Sequence, residues 1–348
     1  MKTQIKTQPV SKGAATFVTF TNAAGASVTL CSVGAAIAAV CVPDRNGNLA
    51  DVVIGYPDAE SYFYDGPCAG KVPGRFANRI ANGHLCVAGK EYQLAINNGP
   101  NALHGGPEGF QNHIWDVKVV GDNCVEFTYC AKDGEENYPG NLTAKATYTW
   151  TEDNELKLEL TATTDAETVV NLTNHAYFNL AGESSGPVLN QLLWLNADRF
   201  LPTDPTQIPT GELAPVADTP MDFTAPHEIG RDIKADFEPL NIGKGYDHCW
   251  VLNNYQPGNV QLAATLFDPA SGRKVEVYTD QPGVQVYTGN WLSGSPVGKG
   301  GRSYNDYDAV ALECQDFPDS PNKPQFPSAT LRPEERYLRH ISFKFSAE

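Results

Sequence analysis

The sequence predicts an all-β protein, a single large antiparallel β-sandwich with few short helices, and three observations carry that reading. Turn formers punctuate the whole chain, with 31 glycines and 25 prolines among 348 residues, which leaves long helices little room. Where they thin out, between 141 and 181, the pattern has period two. Ala146, Tyr148 and Trp150 alternate with polar neighbours, and Leu156, Leu158, Leu160 and Ala162 alternate with Lys157, Glu159 and Thr161. Finally, 41% hydrophobic and 19% charged residues suit a chain of this length that buries its own core without disulfides or metals.

The elements follow in order. Residues 13–43 carry no charge, yet Thr, Ser, Asn22 and Gly25 interrupt them, so they read as two or three short buried strands and not as a membrane span. Glu152-Asp153-Asn154 turns the two alternating runs into a hairpin. The region 201–245 is the least regular, with a short helix expected around Arg231 to Phe237. Alternation returns in Val275 and Val277, then in Val284 and Val286 across the turn Asp280-Gln281-Pro282-Gly283, and again in Ile341, Phe343 and Phe345. No repeat, low-complexity tract or linker divides the chain, so residues 1–348 read as one domain.

A net charge of −16 repels phosphate backbones and anionic lipid at long range, so nucleic acid and membrane are poor partners, whereas a neutral small molecule is indifferent to it. No apolar stretch follows the first lysines, which predicts a cytoplasmic protein without a secretory signal. The eight cysteines include no Cys-x-x-Cys pair and no cluster with His at metal spacing, so neither a metal nor a redox motif is expected.

Four features carry chemistry. Glu313 interrupts the apolar run Ala309-Val310-Ala311-Leu312-Glu313-Cys314-Gln315; strand alternation sends it either to solvent or into a pocket as a general base, and local sequence does not choose. In Asn171-Leu172-Thr173-Asn174-His175-Ala176-Tyr177-Phe178-Asn179, amides crowd around a histidine in a density unusual for a strand, a face suited either to a neutral polyol or to its own backbone. The stretches Gly74-Arg75-Phe76-Ala77-Asn78-Arg79-Ile80 and Asn97-Asn98-Gly99-Pro100-Asn101-Ala102-Leu103-His104-Gly105-Gly106 lack the spacing of a phosphate loop. They offer donors on backbone that approaches a ligand closely, or else an exposed loop. Asp247, in Tyr246-Asp247-His248, and Gln285, between Val284 and Val286, are further polar candidates.

In this order, with Val42-Pro43-Asp44-Arg45-Asn46-Gly47, Asp133-Gly134-Glu135-Glu136-Asn137-Tyr138-Pro139-Gly140, Ile208-Pro209-Thr210-Gly211 and Phe317-Pro318-Asp319-Ser320-Pro321-Asn322, the blocks resemble the aldose 1-epimerase (galactose mutarotase) family from about Thr29 to Phe345. The resemblance implies interconversion of the α and β anomers of free aldoses such as galactose and glucose, without cofactor, by a monomer or homodimer. It implies that Glu313 is the catalytic base and His175 the catalytic acid. His104 would bind near the reacting end, and Asn78, Arg79, Asp247 and Gln285 would hold hydroxyls. The departures are Ala176 beside the histidine, Cys249 and Cys314 beside functional positions, and an alanine-rich segment from Cys31 to Cys41. The scheme asks His175 to stay protonated near neutral pH, with Glu313 and Asp247 expected to push it that way. A carbohydrate-binding sandwich without chemistry, and a glycosidase pairing Glu313 with Asp247, are the competing readings.

Overall fold

Period-two segments of the sequence become the strands of three antiparallel sheets in the computed structural model, which describes all 348 residues. The five-stranded sheet is a meander of Lys2–Val10, Gly13–Thr21, Ser27–Cys31, Ala36–Pro43 and Leu49–Asp51. It contains the uncharged segment as three strands, as expected. The nine-stranded sheet contains the predicted hairpin, Leu142–Trp150 paired with Glu155–Thr164, and the last strand, Tyr337–Ala347, lies next to it. The six-stranded sheet runs in the order Tyr177–Phe178, Val310–Gln315, Gly283–Tyr287, Asp247–Val251, Arg199–Phe200, Ala214–Pro215.

Alternation decides what each sheet buries. Ala144, Ala146, Tyr148, Trp150, Leu156, Leu158, Leu160, Val275, Val277, Ile341, Phe343 and Phe345 face inward from the nine-stranded sheet. They meet Val284, Val286, Trp250, Leu312 and Cys314 of the six-stranded sheet in one continuous apolar core. The rings of Phe178 and Phe343 join the two layers, 5.2 Å apart. Residues of opposite parity on the six-stranded sheet therefore point away from this core, and that second face carries the site.

The two valine runs at 275–277 and 284–286 are strands, as the alternation predicts, but of different sheets: Arg273–Thr279 pairs with Gln261–Phe267 and Tyr337–Ala347, while Gly283–Tyr287 pairs with Asp247–Val251 and Val310–Gln315. The turn at 280–282 passes the chain from one sheet to the other. Its Asp280 is tied down by the His340 backbone N–H and imidazole, both at 2.8 Å. The helix lies one turn later than expected, at Glu238–Gly243. Phe237 is extended (φ −135°), and Pro239 occupies the first turn, where its missing N–H costs nothing; residues 231–236 form turns and bends. No helix is long and apolar enough to cross a membrane.

Leu158 is 1% exposed between Tyr148 and Ile341 on the neighbouring strands. Leu158→Ala is expected to cost about 2–5 kcal/mol in urea unfolding, against roughly 0.5 kcal/mol or less for the exposed neighbour Lys157→Ala. Equal losses at the two positions would show that the alternation does not define the core.

Candidate functional site

Strand register builds the site. Glu313 lies opposite Gln285, Gln285 opposite Cys249, Tyr287 opposite both Ala311 and Asp247, and Ala311 opposite Tyr177, all on the face turned away from the main core. Continuing the Tyr177–Ala311 pairing by two residues sets His175 level with Glu313, and the His175 Nε2 and Glu313 Oε1 atoms are 3.4 Å apart. Above them opens a cleft of about 380 Å³ lined by Asn78, Arg79, His104, His175, Asp247 and Glu313, together with Gln207, Tyr177, Tyr287 and Trp291. Six of the seven expected site residues thus converge. Gln285 is the exception: it stands behind Asp247, whose Oδ1 accepts from its Nε2 at 2.7 Å, so it orients the carboxylate that faces the cleft.

The two Gly-rich stretches form the wall. Arg79–Ile80 pairs with Ala102–Leu103, and the Asn78 backbone N–H donates to His104 Nδ1 at 3.1 Å. That bond assigns the ring proton of neutral His104 to Nε2, and burial drives its pKa well below the ordinary histidine value. His104 thus presents one N–H donor, with its ring 5.3 Å from that of His175. The glycines serve close approach: a Cβ at Gly105, where φ is +80°, would lie 2.0 Å from the Gly74 carbonyl oxygen. Arg75, by contrast, hydrogen-bonds Pro139 O and Thr168 Oγ1 and does not line the cleft, so the block 133–142 braces this wall from behind.

Arg79 Nη2 reaches Gln207 Oε1 at 2.6 Å and Asp247 Oδ2 at 3.4 Å, and Gln207 Nε2 donates to the same Asp247 oxygen at 2.8 Å. Burial alone raises the Asp247 carboxyl, but Arg79, His248 and these amides outweigh it and hold the group below the usual aspartate range. It is a fixed anion. Glu313 is the opposite case: burial, with Asp247 adding to it, pushes its pKa well above the carboxylate value. The expectation that His175 is held protonated is overturned. Asp247 does raise it, but loss of hydration dominates and takes it down to about 4. Glu313 Oε2 and His175 Nδ1 are buried without a hydrogen-bond partner in the protein, acceptor and donor capacity left for something else.

Gln207, Tyr177, Tyr287 and Trp291 were not singled out from the sequence. Tyr177 lies within the block 171–179, Gln207 precedes Ile208 and Tyr287 follows Val286, whereas Trp291 adjoins no such block; nothing local reveals that these side chains face a cleft. Trp291 is 65% exposed at the rim, with its backbone N–H on the Tyr287 hydroxyl at 3.0 Å and the Lys244 ammonium 4.2 Å from its ring centre. It is an apolar plate of the kind that stacks on a sugar face.

The sequence profile of the aldose 1-epimerase family matches residues 16–344. The chain is 46% identical to human galactose mutarotase over 319 residues, covering 92% of this chain and 91% of that one. It is 38% identical to the aldose 1-epimerase of Escherichia coli K12 over 333 residues, 95% of each. Among solved structures it resembles the GalM/aldose epimerase homologue of C. elegans, with a TM-score of 0.88 at 32% identity over 96% of this chain and 99% of the other.

In Arg79→Ala, the Asp247 carboxyl is expected to titrate higher than in the unaltered protein, because the guanidinium, first among the groups that oppose burial there, is gone. Carboxyl carbon NMR checks this, and a titration left where it is in the unaltered protein would show that the Arg79 charge is not what keeps Asp247 ionised.

Proposed function

The chain belongs to the aldose 1-epimerase family, and on that footing we propose that it acts on free hexoses such as galactose and glucose with Glu313 as general base and His175 as general acid. As a member of this family it is an enzyme that interconverts the α and β anomers of aldoses. The observation that carries the residue assignment is the 3.4 Å juxtaposition of two desolvated titratable groups in the floor of a polar cleft.

Opening the ring moves two protons. The C1 hydroxyl gives its proton to the Glu313 carboxylate as C1–O1 becomes a carbonyl, the electron pair of the C1–O5 bond leaves with O5, and the His175 imidazolium protonates O5. Rotation about C1–C2 and reversal of both transfers on the other carbonyl face gives the second anomer. The products of the opening step are a neutral acid and a neutral imidazole, the two forms that burial favours at these positions. Desolvation therefore works for ring opening, at the cost of a pair that begins the step charged. The His104 Nε2–H is placed to donate to a sugar oxygen, and Asn78, Arg79 and Asp247 to hold hydroxyls, with Asp247 fixed by Gln285 and Gln207. Trp291, Tyr177 and Tyr287 supply apolar ring surface.

The cleft draws on residues 66 to 313, which supports treating 1–348 as one working unit. No disulfide joins the eight cysteines, which suits a reducing compartment such as the cytoplasm. Asp247 lies in an ion pair with Arg79 and is bonded to two amides, an arrangement for holding a ligand. That favours epimerisation over a glycosidase pairing of Glu313 with Asp247.

Polarimetry of freshly dissolved α-D-galactose and α-D-glucose tests the reading: the enzyme accelerates the drift to equilibrium, and a merely sugar-binding protein leaves the spontaneous rate unchanged. Glu313→Gln is expected to lose about 10²- to 10⁴-fold in kcat while still binding sugar. Near-normal turnover would remove it as the base. The rate should also be bell-shaped in pH, since the pair works only while it holds one proton. Below the lowered His175 value, about 4, a second proton is taken up, and above the raised Glu313 value the last one is lost. A rate that keeps its plateau value well below pH 4, with no acid limb, would contradict the two-group scheme.

A further inference from the structure

The loop 65–71 passes behind the catalytic histidine and is closed on itself by a fully buried ion pair. Lys71 Nζ is bound to the Asp65 carboxylate and donates to Tyr62 O at 2.7 Å, with Asn112 Oδ1 at 3.4 Å. The lysine and aspartate side chains are 1% and 0% exposed. A pair this deep is a poor way to gain stability, because the desolvation of both ions offsets their attraction and apolar residues of similar size generally do as well. The Asp65 carboxyl shows the strain: burial raises it to about 6 even with the ammonium against it.

What the pair does hold is His175. The His175 N–H donates to Lys71 O at 2.8 Å and the Gly70 N–H donates to His175 O at 2.9 Å, so residues 70 and 71 grip both polar groups of that residue. The neighbouring Asn174 amide is bonded to Gly70 O at 2.7 Å. The same loop reaches the imidazole by a second route: Pro67 O accepts from the Tyr177 hydroxyl at 3.0 Å, and the Tyr177 ring lies 4.8 Å from the His175 ring. On its other side the loop rests on the alanine-rich segment, with Ile37 N–H on Gly70 O and Val72 N–H on Gly34 O, both at 2.8 Å. Small residues are required there. A Cβ on Gly34 would come within 2.9 Å of the Lys71 side chain, and one on Gly70 within 2.1 Å of Ile37 O.

We infer that Asp65 and Lys71 are positioning residues that fix His175 against Glu313, the alanine-rich segment serving to make room for them. The inference rests on the acid–base reading of that histidine. Lys71 also acts through its charge. The groups facing it are Asp65, Cys31, Cys68, His104 and His175, and its ammonium depresses both histidines, second to burial at His175.

The test compares Lys71→Met with Asp65→Asn/Lys71→Met, in which no charge is left unpaired. Each is assayed by polarimetry with galactose across pH, alongside the unaltered enzyme. Both variants are expected to lose about 10- to 100-fold in kcat with KM changed less than about threefold, because misplacing one catalytic group by an ångström has that effect. The acid limb of the profile should move to higher pH as the positive charge near His175 is removed. A double variant with unaltered kcat and an unmoved acid limb overturns the inference, whatever its melting temperature. Should Lys71→Met fail to fold, the double variant carries the test, and the carbon NMR titration of His175 reads the charge effect independently of turnover. An unaltered enzyme that does not accelerate mutarotation overturns the acid–base reading instead, a separate outcome.

Discussion

Everything in the cleft depends on keeping two ionisable groups out of water and within reach of each other. His175 and Glu313 have side chains 5% and 2% exposed, 3.4 Å apart, and neither gains its usual charge easily there. A carboxyl and an imidazole in water would differ by roughly two pKa units, with the proton on the imidazole. Burial reverses that order, raising one and lowering the other. The pair can therefore exchange one proton with a bound molecule in either direction, as a reaction that must run equally well both ways requires. The same desolvation would be ruinous without a scaffold that over-determines both positions, since each group loses hydration without a compensating bond.

The sheet supplies that scaffold through register. Glu313 is fixed by its backbone ladder to Gly283–Tyr287, and its neighbours Leu312 and Cys314 are locked in the apolar core on the opposite face. A slip of one residue would send the carboxylate into that core, which makes the register strongly specified. Asp247 is held differently. It faces solvent more, at 14% side-chain exposure, and keeps its charge because Arg79, Gln207 and Gln285 surround it. Two carboxylates on one sheet face thus receive opposite ionisation behaviour, Glu313 mainly from loss of water with the Asp247 charge adding to it, and Asp247 from the cation and amides that replace water around it.

How much of this the sequence discloses depends on the range of the interaction. Period-two alternation at 146–162 and 341–345 is local and gave true strands; so did the uncharged run at 13–43. Which strands the runs Val275–Val277 and Val284–Val286 pair with was not a local matter. A four-residue turn fits a hairpin and a sheet-to-sheet crossing equally well, and only the partners on either side distinguish them. The same limit appears at the site. Alternation could put Glu313 on a face but could not say whether that face was wet; its burial comes from the elements packed over that face, which are remote in sequence. Gln285 was placed among the ligands because an amide between two valines must point away from their face. It does, but Asp247 stands between it and the cleft. His175 was expected to be raised by its carboxylate neighbours, and the sign of that Coulombic effect was right for Asp247. Its size relative to burial is invisible without depth.

The wall opposite the sheet shows a second way of fixing a site, through backbone conformation. Asn78, His104 and Gln207 all line the cleft and all adopt left-handed φ, at 67°, 52° and 65°. Residues other than glycine hold such angles only where surrounding bonds enforce them. Here the enforcement is mutual: the Asn78 N–H is bonded to the His104 ring and the His104 N–H to Asn78 O, while Gln207 is held by both Arg79 and Asp247. Asn78 and His104 thus anchor each other, while Gln207 is anchored by the Arg79–Asp247 pair. Glu313 and Asp247 on the sheet, with Asn78, His104 and Gln207 on the facing wall, give a cleft whose polar atoms are set before a ligand arrives, so that little ordering is left to oppose binding.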